Sequence, residues 1–131
     1  MTSSSRDMRT PLARVRGLGS AHNGTRHFWY QRLTSVTGVL LTGIFIVIVL
    51  SVIGRSHAAA VQILGSPLVS ILLLLFVFNT VYHMWLGMQV IIEDYVHHEG
   101  AKVFLIMFNT GFCFVVGLIC VHALVRLSLG V

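Results

Sequence analysis

Three residues able to do redox or proton chemistry close one apolar stretch of this chain, the segment HMWLGMQVIIEDY at residues 83–95. A histidine inside a membrane span is costly to bury and is a functional candidate by default. Eleven residues separate His83 from Asp94. At about 100° per residue that spacing returns to within roughly 20° of the starting face, about 16 Å along a continuous helix. Tyr95 adds a phenol that can donate a hydrogen bond while its ring stays in an apolar setting. Asp94 can accept or relay a proton. The combination suggests a buried ligand below a proton-coupled substrate site. For each residue alone, a helix end with one charged and one belt residue is an equally ordinary reading.

Histidines at mid-depth in membranes serve as haem ligands, proton relays or interhelical hydrogen-bond partners. Gly87 lies one turn from His83 and, lacking a side chain, leaves room for a flat porphyrin; it equally suits a helix-packing notch. A six-coordinate haem needs two axial ligands at one depth, and His122 is the other intramembrane candidate. Its predicted depth differs from that of His83 by roughly 16 Å, so the two cannot share one haem. If His83 binds haem, its counterpart belongs to a second chain. Cys113 and Cys120 are about 10 Å apart on one predicted helix, beyond disulfide reach, and are expected to pack.

The elements that must position these residues follow from composition. Of 131 residues, 56% are hydrophobic and 10% charged, with a mean hydropathy of +0.87. Three apolar runs, about 33–53, 67–92 and 103–127, each reach the roughly 20 residues needed to cross a bilayer core. The expected fold is an all-α membrane protein of three transmembrane helices over residues 25–131, preceded by a basic arm at 1–24. No room remains for a soluble catalytic domain, so catalysis by this chain alone is not expected.

Arg6, Arg9, Arg14, Arg16, Arg26 and Arg32 precede or open the first run, against Asp7. The excess of positive charge predicts a cytoplasmic N-terminus and, after three crossings, a periplasmic C-terminus. Topology and anionic membrane lipid account for the basic arm without nucleic acid. The first apolar run starts too late, and is too long, for a cleavable signal. An acid-poor, Arg- and Ser-rich start also suits an organellar transit peptide, so the bacterial inner membrane is expected and the mitochondrial inner membrane is the alternative. Residues 27–30, HFWY, suit an interfacial belt. Thr34, Gly38 and Thr42 recur every fourth residue, a small-residue stripe that lets another helix approach. Arg32 can snorkel to headgroups or turn inward to pair with a buried anion. Residues 54–66 read as a short outer loop ending at Pro67, and 93–102 as a loop turning at Gly100.

The run from His83 through Asp94 and Tyr95, with its pattern H-x-W-x-G-x-x-x-x-x-x-D-Y, resembles the small cytochrome b membrane anchors of succinate dehydrogenase, respiratory complex II. The segment QRLTS at 31–35 resembles that family's R-x-[TS] entry to the first span. The resemblance covers roughly residues 24–131. It implies that His83 is an axial ligand of haem b, with the opposing ligand from the larger cytochrome b anchor subunit. It implies that Tyr95 hydrogen-bonds ubiquinone, the substrate, beside Asp94, and that Arg32 approaches a haem propionate. A second propionate-side residue falls at Arg26 or His27. Iron–sulfur and flavoprotein subunits, holding the iron–sulfur clusters and flavin, are the implied partners. A fumarate reductase anchor, one acting on menaquinone, or one without haem shares the pattern. A proton-coupled transporter subunit is the rival of a different class, and the lack of a carboxylate deep in any span counts against it.

Overall fold

The computed structural model describes residues 10–17 and 24–130. The remainder of the expected arm, residues 1–9 and 18–23, lies outside the described residues. A one-turn helix, α1 (Pro11–Val15), comes first, followed by α2 (Gly24–Val52), α3 (His57–Leu64), α4 (Pro67–Tyr95) and α5 (Glu99–Leu129). Helices α2, α4 and α5 are each long and apolar enough to cross a membrane. The three expected spans are therefore present, the first lengthened at its start, the second at its end and the third at both ends.

Two corrections concern the connections. Residues 54–66 are not a plain loop but contain α3. Ser56 caps that helix by accepting the Ala59 N–H at 3.4 Å, and an Ala-rich segment with no proline inside it then holds the helical ladder. The 93–102 loop shrinks to Val96, His97 and His98, because the Val96 N–H still reaches Ile92 O at 3.1 Å and the Lys102 N–H already reaches His98 O at 2.9 Å. Gly100 is consequently helical and makes no turn. Gly54, with φ of 77°, lies just past the end of α2, the left-handed position that glycine occupies without steric cost. The aromatic HFWY cluster lies inside the first turns of α2, not ahead of it.

Helix α4 is the middle element. It packs against α2 on one side and α5 on the other, while the backbones of α2 and α5 make no close approach to each other among the described residues; α3 meets all three at the far end. Few side chains are buried in such a row. Ile48, Leu73, Leu86, Ile92 and Cys113 are the buried apolar residues among those described, with Ser70 and Asn109 the buried polar ones. Between apolar helices in lipid, close packing and interhelical hydrogen bonds hold the pair together, each bond contributing about 0.6–2 kcal/mol.

Asn109 supplies one such bond, its Nδ2 donating to Trp85 O at 3.1 Å, while the Trp85 indole donates to Thr110 Oγ1 at 3.1 Å. On the other side of α4, Phe45 and Phe76 stack at 4.6 Å between ring centres. Gly65, at the corner between α3 and α4, sits against the end of α5: a Cβ there would lie 2.7 Å from Leu127 O. Both cysteines are free, Cys113 buried and Cys120 half-buried.

Candidate functional site

The α2–α4 seam carries most of the polar side chains that bridge helices. Asn79 receives the Thr37 hydroxyl on Oδ1 at 2.6 Å and donates through Nδ2 to Thr34 O at 3.1 Å. One turn along α4, His83 Nδ1 lies 2.9 Å from Thr34 Oγ1. Gly38 makes the close approach possible, since a Cβ there would stand 3.0 Å from Asn79 Nδ2. The Thr34–Gly38–Thr42 stripe therefore does admit a neighbouring helix, and the same residues form one wall of a cleft. Ser35 and Val39 complete that wall, while Asn79, Thr80 and His83 supply the opposite one around about 450 Å³.

The hydroxyls of Ser35 and Thr42 turn back onto their own helix, donating to Gln31 O at 2.8 Å and Gly38 O at 2.7 Å. The α2 wall thus turns those two hydroxyls away from the cleft, and His83, on the facing α4 wall, supplies the cleft's imidazole. Among the described residues no three His, Cys, Asp or Glu side chains gather as an ion-binding group. A single imidazole on an open cleft walled by small residues suits a flat, axially ligated group better than a caged ion. A b-type haem fits those donors. A larger apolar groove of about 500 Å³ runs under α3, lined by residues such as Phe45, Phe76 and Cys120. It lies at the opposite end of the bundle and carries no ionisable group beyond that thiol.

The structure brings some of the expected residues together and leaves others apart. Helix α4 runs unbroken through Tyr95, so the condition for His83 and Asp94 to share a face is met. Tyr95 falls about 100° further round, toward the side of Met88 and Ile92, and is 77% exposed. Asp94 is exposed as well. Arg32 lies about one turn from Ser35 and is exposed, its guanidinium carbon 4.7 Å from the Phe28 ring centre. That stacking holds the charge against the Phe28 ring, one turn back along α2. Arg26 is exposed, whereas His27 is half-buried. His27 Nε2 and Gln31 Oε1 are enclosed with no hydrogen-bond partner among the described residues.

Gly87 faces Gln31, whose Nε2 would be 3.3 Å from an added Cβ; it does not line the cleft. His122 is exposed on α5, at a depth roughly 14 Å from His83 by helix rise. Sequence reasoning treated Thr34 only as a small packing residue and missed it as the partner of His83. The available signal was its place ten residues after the start of α2, facing the polar half of α4.

Residues 6–126 match the family described as Succinate dehydrogenase/Fumarate reductase transmembrane subunit. The chain is 34% identical over 121 residues to a succinate dehydrogenase hydrophobic membrane anchor subunit of Paracoccus denitrificans, covering 92% of this chain and 93% of that one. It is 33% identical over 90 residues to the corresponding anchor of Rickettsia bellii, covering 69% and 72%. The anchor of Rickettsia conorii is 28% identical over 111 residues, covering 83% and 87%. No solved structure matches the chain. With a three-helix membrane architecture and a match along nearly its whole length, the chain belongs to the family of succinate dehydrogenase and fumarate reductase transmembrane subunits, and its relatives within it are hydrophobic membrane anchors of succinate dehydrogenase.

Proposed function

We propose that this chain anchors a succinate:quinone oxidoreductase in the bacterial inner membrane, sharing a b-type haem and a ubiquinone-reduction site with a larger anchor subunit. The observation that carries the reading is His83, half-buried on the cleft wall with its Nδ1 engaged and its Nε2 taking no hydrogen bond from the described residues. His122 is too distant in depth to complete the coordination, so the second axial ligand comes from the partner anchor. Arg32 and His27 are the candidate partners of a haem propionate: Arg32 is an exposed guanidinium on α2, and His27 Nε2 is enclosed without a hydrogen-bond partner among the described residues. Haem, when bound, supplies a one-electron store beside the quinone.

The Arg-rich end faces the cytoplasm in this proposal, which sets Asp94 and Tyr95 at the same boundary. Tyr95 is free to donate its phenol proton to a quinone carbonyl, and Asp94 to pass protons to the reduced oxygens. Succinate oxidation belongs to the flavoprotein subunit, and the iron–sulfur subunit delivers electrons to the membrane boundary. The anchor contributes position, hydrogen bonds and a site from which bulk water is excluded. A reduced-minus-oxidised visible spectrum of the purified complex tests the ligand. His83→Ala should abolish the b-type signal, and an unchanged signal would refute the assignment. Tyr95→Phe should slow quinone reduction while succinate oxidation by an artificial acceptor persists; equal loss of both activities would remove the quinone role.

A further inference from the structure

The hydroxyl of Thr34 has three neighbours and one proton. Its Oγ1 lies 2.8 Å from Tyr30 O, 3.1 Å from Gln31 O and 2.9 Å from His83 Nδ1. The two carbonyls only accept. If the hydroxyl donated to Nδ1, the imidazole proton would sit on Nε2, where no acceptor stands among the described residues, and one hydrogen bond would form in all. If the hydroxyl donates to its own helix, Oγ1 is free to accept from an Nδ1–H, and two bonds form. The second arrangement leaves no donor unsatisfied and forms the larger number of bonds. It also leaves the imidazole lone pair on Nε2.

We propose that Thr34 is the positioning residue of the His83 site, holding the Nδ1–H tautomer and the ring plane so that Nε2 is the ligating atom. This rests on the haem reading given above. Outer-shell acceptors for a ligating histidine fix its tautomer and orientation and raise its basicity, and losing one typically costs 10–100-fold in affinity. Helix α2 thereby does more than form the cleft wall: it selects which nitrogen can meet the iron. The backbone of Thr34 has a separate task, since its carbonyl accepts Asn79 Nδ2. Substitutions at the side chain therefore probe the hydroxyl without removing that bond.

The test uses the whole purified complex with Thr34→Val, Thr34→Ala and Thr34→Ser, beside His83→Ala. Haem retention during detergent titration and the low-spin ferric electron paramagnetic resonance signal are the readouts. Thr34→Val should weaken haem retention 10–100-fold and displace the highest g-value, because the freed ring rotates and donates less charge. Thr34→Ser should restore both toward wild type. Wild-type retention and g-values in Thr34→Val, with the haem gone in His83→Ala, would overturn the role of Thr34 while leaving the ligand assignment standing. Haem retained in His83→Ala would overturn the ligand reading itself. Should the valine complex fail to assemble, Thr34→Ala carries the same comparison, and a serine variant no closer to wild type than alanine would overturn the proposal.

Discussion

Gly38→Ala should destabilise the α2–α4 pair, and the same change should turn neutral or stabilising once Asn79 is alanine. A Cβ at position 38 would lie 3.0 Å from Asn79 Nδ2, against about 3.5–4.0 Å for a relaxed contact. One partner must retreat by roughly 0.5 Å or more. The amide is not free to do so, because Thr37 holds its Oδ1 at 2.6 Å and Thr34 O holds its Nδ2 at 3.1 Å. Stretching the longer bond by that amount takes it to about 3.6 Å, past useful hydrogen-bond range. The lost interhelical bond costs about 0.6–1.7 kcal/mol, and overpacking adds about 1–3 kcal/mol. Alanine's better helix propensity offsets about 1 kcal/mol. The expected net loss is about 1–4 kcal/mol, reversing to a gain of up to about 1 kcal/mol in the Asn79→Ala background. Denaturing-detergent titration of the purified complex, followed by tryptophan fluorescence, gives all four corners of the cycle. The same free-energy change in both backgrounds would refute the idea that the pinned Asn79 amide sets the spacing of the seam.

Gly65→Ala should cost about 2–3 kcal/mol in the same titration, since its Cβ would meet Leu127 O at 2.7 Å and Val61 O at 2.9 Å, backbone atoms that cannot rotate aside. Gly43→Ala, with nothing within 4 Å, should be neutral or stabilising by up to about 1 kcal/mol; equal effects at the two sites would contradict the packing described at the α3–α4 corner. Arg32→Leu should lower haem retention or shift the haem midpoint potential. An unchanged complex would mean that Arg32 serves only lipid headgroups.

Much of the architecture could be read directly from the residue order. Three apolar runs of spanning length admit few solutions, because unpaired backbone groups in lipid leave helices as the economical structure. The connections were harder. Nothing in the hydropathy of residues 54–66 distinguishes a loop from an eight-residue helix, and α3 exists because Ser56 caps it and all three long helices give it something to lie against. The last turn of α4 and the first of α5 were read as loop for a similar reason. Charged residues such as Glu93, Asp94 and Lys102 lower hydropathy without breaking a helix, so apolar runs mark where lipid begins rather than where helices end.

The site divides in the same way. The type and spacing of His83, Asp94 and Tyr95 are properties of one helix, so their shared axis and their separation were available from periodicity alone. The difference in depth between His83 and His122 was also available, because helix rise converts residue counts into depth. Only the packing of α2 on α4 decided which face of His83 meets which hydroxyl. Thr34 is 49 residues from His83 in the chain, and no periodicity links positions on different helices. The contact depends on Gly38 letting Asn79 close the seam, which sets the depth at which the two helices register. Sequence determined that His83 lies within an apolar span of membrane-crossing length; tertiary structure decided what holds that histidine, because a hydrogen bond between helices is settled by their relative rotation and translation.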